Sequence, residues 1–243
     1  MRSLQLILSV AFVVMLAGCD GNSGLSVDSP DARLTGLPRS APDAGSLQPS
    51  VTVPDAGSAA ATLSIDCGVP YPTTNIGGKP KSDAQPGQIF PNLTLQGIRS
   101  VASLDTPTTV SFSEYFDPQG QRFDLLHVMG IFMWCPHCDN ETKALSNIAA
   151  WQSAHRVAAV QVAMSGYGSD PATWSDLQKW ITDHNLTIPV LLDAKGSQLG
   201  QYFKVSAVPV NIVVNPQTME ILAVDIGEVG DVQAYEQKFL SSL

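Results

Sequence analysis

Cys135 and Cys138 are separated by Pro136 and His137 in the stretch Trp134-Cys135-Pro136-His137-Cys138, and they are two of only four cysteines in 243 residues. Two thiols at this spacing can cycle between dithiol and disulfide, supply half of a metal site, or sit as small buried side chains. A purely structural disulfide between them would close almost no loop and remove little entropy from the unfolded chain, so stability is a weak reason for the pair. Structural zinc wants four Cys or His ligands, usually as two spaced pairs, and the chain has no second C-x-x-C and no H-x3-5-H. Redox chemistry is the reading that gives both sulfurs a task.

The elements around the pair favour that task. Residues 123–134 (FDLLHVMGIFMW) form a nearly continuous apolar run, which suits a strand buried on both faces. Pro136 falls where a helix can start, because its missing N–H and fixed φ suit the first turn. Ala144, Leu145, Ile148, Ala149 and Trp151 or Gln152 continue at helical spacing. Cys135 at this junction has its sulfur beside unpaired backbone N–H groups and the positive end of the helix dipole, where a thiolate is favoured. A cysteine in such a place titrates somewhere between about 3.5 and 7.5 instead of about 8.5. His137 is expected to add positive charge next to both sulfurs, and a stabilised thiolate makes the disulfide a stronger oxidant.

The rest of the C-terminal two thirds supplies partners for that strand and helix. Residues 89–98 and 108–112 alternate like short strands, and 156–164 (RVAAVQVAM) is a second buried strand. Asp170 and Pro171 can cap and open a helix carrying Trp174, Leu177, Trp180 and Ile181 on one face. A short strand at 188–193, a short helix at 197–203, strands at 208–215 and 219–226, and a final helix with Val232, Tyr235, Phe239 and Leu240 in line complete the pattern. Strands alternating with helices, then a strand pair and a closing helix, describe one α/β domain with a mixed sheet covered on both sides.

Over about residues 88–243 the chain resembles the thioredoxin superfamily. The resemblance rests on Trp134-Cys135-Pro136-His137-Cys138, on the strand before and the helix after it, and on Val208-Pro209 opening a later strand. It implies a thioredoxin-like α/β fold, a central mixed β-sheet flanked by helices on both faces. It also implies that Cys135 attacks a substrate disulfide, that Cys138 resolves the mixed disulfide and that His137 tunes the thiolate. Pro209 would be cis and face the pair, with Val208 and Trp134 contacting substrate. No cofactor is needed for this chemistry. The Cys-Pro-His-Cys filling and the Val before the proline look like the periplasmic oxidase DsbA. Pro209 follows Cys138 by 71 positions, however, too few for that family's inserted helical domain and similar to the TlpA-type membrane-tethered redoxins. Glu141 matches a glutamate that helps manage protons near the cysteines in that second group. Lys143 replaces a proline usual there, and Met129 stands where many thioredoxins carry a buried Asp, so Glu141 or water must serve as proton acceptor.

Rival readings are a copper- or zinc-binding protein of the same fold and a non-catalytic binding module. Copper-carrying relatives use a wider Cys spacing and a downstream His, whereas His155 and His184 each end a helix and His127 lies in the buried strand as a core residue. The peroxidase branch places its cysteine in a threonine-containing context that is absent here.

The N-terminus bears on where such chemistry would occur. Residues 4–16 (LQLILSVAFVVML) fit a signal-peptide hydrophobic region and are too short to span a bilayer. They lead into Leu16-Ala17-Gly18-Cys19, which resembles a bacterial lipobox and implies cleavage before Cys19 and lipidation of its sulfur and new amino group. Residues 20–64 hold no aromatic residue and no Lys, and Pro-Asp-Ala-Gly-Ser occurs twice in them. Such a stretch cannot bury enough apolar surface to order itself and reads as a tether. The expected organisation is a leader at 1–18, a tether at 19–66 and a redox domain at 67–243. With 13 Lys and Arg against 22 Asp and Glu, there is no basic face for a nucleic acid. Expected partners are protein thiols or disulfides, a membrane redox protein that resets the pair, and the membrane through the lipid. Cys67 is left as an odd thiol.

Overall fold

The computed structural model describes residues 65–66, 68–78 and 83–243; Cys19, Cys67, the expected leader and nearly all of the expected tether lie outside them. Nine strands are described: β1 (Ile65–Asp66), β2 (Val69–Pro70), β3 (Thr94–Ile98), β4 (Thr108–Ser111), β5 (Leu125–Phe132), β6 (Val157–Ser165), β7 (Val190–Leu192), β8 (Val210–Asn215) and β9 (Glu220–Ile226). Four α-helices join them: α1 (Pro136–Asn147), α2 (Ala149–Ala154), α3 (Trp174–Asp183) and α4 (Val232–Leu240). β1 and β2 form a small hairpin, and the other seven make one sheet in the order β4-β3-β7-β6-β5-β8-β9. β7, β6 and β5 run parallel to their neighbours among themselves, while β3, β4, β8 and β9 pair antiparallel at the two edges. The mixed sheet and its helices are those of a thioredoxin-like α/β fold.

The two apolar runs sit where their composition requires. Seven of the eight residues of β5 and all nine of β6 are buried, as expected for central strands covered on both faces. Side-chain alternation splits β5 cleanly. Leu126 and Val128 join one apolar cluster, and Met129 and Ile131 join another on the opposite face. The second cluster takes in Leu145 of α1, Leu177, Trp180 and Ile181 of α3 and Val232 of α4, together with both cysteines. The first is closed by Phe90, Phe112, Phe116, Leu199 and Phe203. The covering on that side is therefore an aromatic N-terminal segment and a 3-10 turn at Leu199–Gln201, where a longer helix at 197–203 was expected. The Asp193 carboxylate accepts the Gln198 and Leu199 N–H groups and holds that turn.

Three boundaries differ from the sequence expectation for local reasons. The strand expected over 89–98 begins only at Thr94, after Pro91. The helix after Pro136 stops at Ile148, whose φ of −99° and ψ of 5° separate α1 from α2. α3 starts at Trp174 and not at Pro171, because Thr173 and Asp176 cap each other reciprocally while Pro171 makes a β-bridge to Ser165.

Candidate active site

β5 ends at Phe132, and the chain turns into α1 through Cys135, the N-cap, whose N–H donates to the Phe132 carbonyl at 3.0 Å. The two thiols end in different surroundings. Cys135 retains 6 % of its surface and lines a cleft of about 470 Å³ with Trp134, Pro136, Asp139 and Tyr167, whereas Cys138 is 0 % exposed. The sulfur expected to be open is thus largely covered, reachable at the cleft wall beside a Trp134 that is 47 % exposed. The Trp134 indole N–H donates to Ser165 Oγ at 3.1 Å, which fixes the ring against β6. Both cysteines are free thiols. Burial pushes the Cys138 thiol far above its ordinary value, and its hydrogen bond toward Cys135 and the Glu141 charge raise it further, against a backbone bond from Phe132.

Val208-Pro209 is cis, as expected, and its Val208 carbonyl lies 3.8 Å from Cys135 Sγ, which faces it as a weak donor. The strand start and the helix start, 73 positions apart, therefore meet at the Cys135 sulfur. The loop after β9 closes the same corner. Gly227, at φ +103°, donates its N–H to the Pro209 carbonyl at 2.8 Å, in a region of backbone space that suits glycine. Two residues on, the Val229 N–H donates to Glu141 Oε2 at 3.0 Å.

Glu141 lies one turn beyond Cys138 on the buried face of α1, a face made of Cys138, Glu141, Thr142 and Leu145. Two of those four are polar, so a search for apolar periodicity alone misses the true inward stripe. The carboxylate is 1 % exposed and its Oε1 has no hydrogen-bond partner. Burial holds its pKa above the usual carboxylate range, against the Val229 N–H, the charge of His127 and the Asn211 amide, which favour the anion. Thr142 accepts from Gln161 Nε2 at 2.8 Å, and Gln161 Oε1 accepts from Trp180 Nε1 at 3.0 Å, a buried chain that ties α1 through β6 to α3.

His137 departs from expectation. Its side chain is 67 % exposed and its Nδ1 lies 2.7 Å from Glu228 Oε2, so any charge on the ring is matched by a carboxylate and faces solvent instead of sitting between the sulfurs. As the second residue of the helix it projects outward while Cys138 projects in, a consequence of the 100° turn between neighbours. His184 and Asp139 pair at 2.8 Å on the cleft wall. Burial would raise the Asp139 carboxyl, but hydrogen bonds from Lys143 and His184 outweigh it and hold the group below its ordinary range.

Sequence reasoning missed Asn211, Glu236, Glu228 and the Val229 amide, and it read His127 only as a core residue. His127 is indeed buried and satisfied, with Nδ1 2.8 Å from Glu236 Oε1 and Nε2 2.9 Å from Asn211 Oδ1. A histidine inside an otherwise apolar central strand was the one available signal. Among the described residues no group of three or more His, Cys, Asp or Glu converges as a metal site.

A dithiol at a strand-to-helix junction, its first sulfur reachable only at a cleft wall and its second sealed, on a thioredoxin-like sheet beside a cis-proline, defines a thiol-disulfide oxidoreductase of the redoxin class. A family model described as AhpC/TSA matches residues 86–222, more than half of the chain, and the chain belongs to that family. No curated protein matches it. Among solved structures it is similar to a candidate thiol:disulfide interchange protein DsbE from Chlorobium tepidum, at 17% identity and a TM-score of 0.51 over 66% of this chain and 99% of that one. It is also similar to the reduced 2-Cys peroxiredoxin of Plasmodium vivax, at 10% identity and a TM-score of 0.51 over 65% and 81% of the two chains. At these identities the likeness is one of fold.

Proposed function

We propose that this protein is a TlpA-type, lipid-anchored extracytoplasmic thiol-disulfide oxidoreductase that exchanges disulfides with protein thiols through Cys135-Pro136-His137-Cys138. Cys135 attacks the substrate disulfide, Cys138 resolves the mixed disulfide, and Glu141 accepts the Cys138 proton. Pro136 opens the helix that carries the pair. Val208, Pro209 and Trp134 receive the substrate backbone, and His137 with Glu228 forms the charged rim of the site. The observation that carries the reading is the asymmetry of the pair, with Cys135 on a cleft wall beside the Val208 carbonyl and Cys138 sealed behind it. A visiting disulfide reaches only the first sulfur.

The anchor rests on Leu16-Ala17-Gly18-Cys19, with 1–18 as leader, 19–66 as tether and 67–243 as the redox domain. Among the described residues no helix is long and apolar enough to cross a membrane. One similar structure is described as a thiol:disulfide interchange protein, which accords with the redox role. In an oxidising compartment the pair can turn over only if a partner resets it, and a membrane redox protein is the partner we assign.

Trapping tests the central claim. With oxidised substrate proteins, Cys138→Ser should accumulate a mixed disulfide on Cys135, and Cys135→Ser should accumulate none. Equal trapping by both variants, or by neither, rejects the assignment. Loss of fatty-acid labelling in Cys19→Ser tests the anchor separately.

A further inference from the structure

Behind Cys138 the fold buries three ionisable groups, Glu141, His127 and Glu236, and thiol exchange by itself explains none beyond the first. His127 and Glu236 are 1 % and 0 % exposed, lie on β5 and α4, and are 109 positions apart in the chain. Gln152 of α2 donates to the same Glu236 Oε1 at 2.8 Å, and Glu236 Oε2 has no partner. On the other side of the ring, Asn211 Nδ2 donates to the Gly227 carbonyl at 3.1 Å.

That last bond settles the proton count. The Gly227 carbonyl can only accept, so it holds the NH2 of Asn211 and leaves Oδ1 facing His127 Nε2. Nε2 must therefore carry a hydrogen. Nδ1 faces a carboxylate oxygen, so one further proton lies between His127 and Glu236. The ring stands between two acceptors, the arrangement of an imidazolium. Burial would lower the His127 pKa, but the hydrogen bond and charge of Glu236, with Asn211 and the charge of Glu141, outweigh it and hold the ring above its ordinary value. The influence is mutual, because the His127 charge favours the Glu141 anion.

We propose that His127, Glu236 and Asn211 are positioning residues for proton transfer at Cys138: they keep one shared proton, and its positive charge, beside Glu141 so that this carboxylate is ready to take the thiol proton. The proposal rests on Glu141 acting as the base. In the step, Cys138–SH gives its proton to the Glu141 carboxylate, and the thiolate electron pair attacks the Cys135 sulfur of the Cys135–S–S–R mixed disulfide. The Cys135–Cys138 bond forms, the S–S bond to R breaks, and R–S⁻ leaves with the electron pair into the cleft, where it takes a proton from solvent, while the thiol proton stays on Glu141 until that group releases it. The packed interior around these groups is otherwise lean in charge. Cys138 faces Glu141 from α1, Tyr235 faces the cluster from α4 with its hydroxyl on Asp225 of β9, and Glu228 does so from the loop, where it is matched to His137. The shared proton at His127 is thus the one positive charge of the cluster among the described residues.

The test measures closure of the Cys135 mixed disulfide in the full-length protein at saturating oxidised glutathione, across pH. Replacing both members of the pair in His127→Gln/Glu236→Gln removes the imidazolium, the member whose charge acts on Glu141, together with its carboxylate, and strands no partner. The acid limb of the rate should then move to higher pH by about one unit, close to tenfold slower closure on the limb, the size of effect an opposite charge nearby exerts on a carboxylate. Glu141→Gln should abolish the limb. If the double variant superimposes on wild type while Glu141→Gln does not, the positioning role falls and Glu141 stands as base alone. If Glu141→Gln superimposes on wild type, the base reading falls and the positioning role with it. Nitrogen NMR of the His127 ring in the reduced wild-type protein needs no variant to fold. Two ring N–H protons at neutral pH agree with the proposal, and a ring protonated at Nε2 alone overturns it.

Discussion

Glu236→Ala is the sharpest test of how the buried pair supports the fold. The change deletes the oxygen that Nδ1 of His127 meets at 2.8 Å and that Gln152 meets at 2.8 Å, at a place where both members of the pair are buried. An imidazolium and an amide are then left in a dry interior. Breaking a buried ion pair from one side costs about 3–5 kcal/mol, whereas replacing both members by neutral groups of similar volume is often close to neutral. His127→Gln/Glu236→Gln should therefore unfold within about 1–2 kcal/mol of wild type, although it changes two buried residues and Glu236→Ala only one. Urea unfolding followed by tryptophan fluorescence reads both, with unchanged m-values confirming that the same surface is exposed. The pH dependence has a definite sign. The folded pKa of His127 is raised, so the stability it contributes is fully present below the unfolded value of about 6.5 and is lost as pH rises through the folded value. The gap between Glu236→Ala and wild type should accordingly be largest in mild acid. A cost below about 1 kcal/mol for Glu236→Ala, or an equal cost for the double variant, would refute the reasoning.

Other expectations follow from burial and close approach. Iodoacetamide should modify Cys135 well before Cys138, which is sealed and whose thiol burial pushes up; peptide mapping after short exposure decides it, and faster labelling of Cys138 would reverse the assigned roles. Gly97→Ala places a Cβ 2.3 Å from the Val190 carbonyl oxygen and 2.8 Å from the Leu191 Cα, both backbone atoms of β7. Because backbone cannot move aside as a side chain can, the change should cost about 3 kcal/mol or more and loosen β3 and β4 in hydrogen exchange before the central strands. Thr173→Ala removes the hydroxyl that accepts from the Asp176 N–H and should lower stability by about 1 kcal/mol in the same unfolding assay, with no effect on thiol reactivity.

Features set within one or two elements were legible in the residues themselves. The unbroken apolar runs of β5 and β6 require burial on both faces, Pro136 marks where α1 starts, and Glu141 shares a helix face with Cys138 because three positions nearly complete a turn. Val208-Pro209 could be matched to the cysteines by resemblance. Periodicity says which face turns inward, but not what it will meet. That is why the residues alone place the opening of α3 at Asp170 and Pro171, whereas the Thr173–Asp176 exchange and the Ser165 bridge put it three residues on.

Only the tertiary structure decided which charges share the interior. His127, Asn211, Gln152 and Glu236 come from four elements, and Val229 reaches Glu141 across 88 positions, so no local pattern could pair them. The same holds for the two thiols. Their sequence spacing makes them equivalent neighbours, and it is the packing of α1 against the sheet and the Val208 carbonyl that leaves one at the cleft and closes off the other. The physical reason is that the cost of a buried charge depends on every group around it in three dimensions, whereas helix starts and strand faces depend on residues a few positions away.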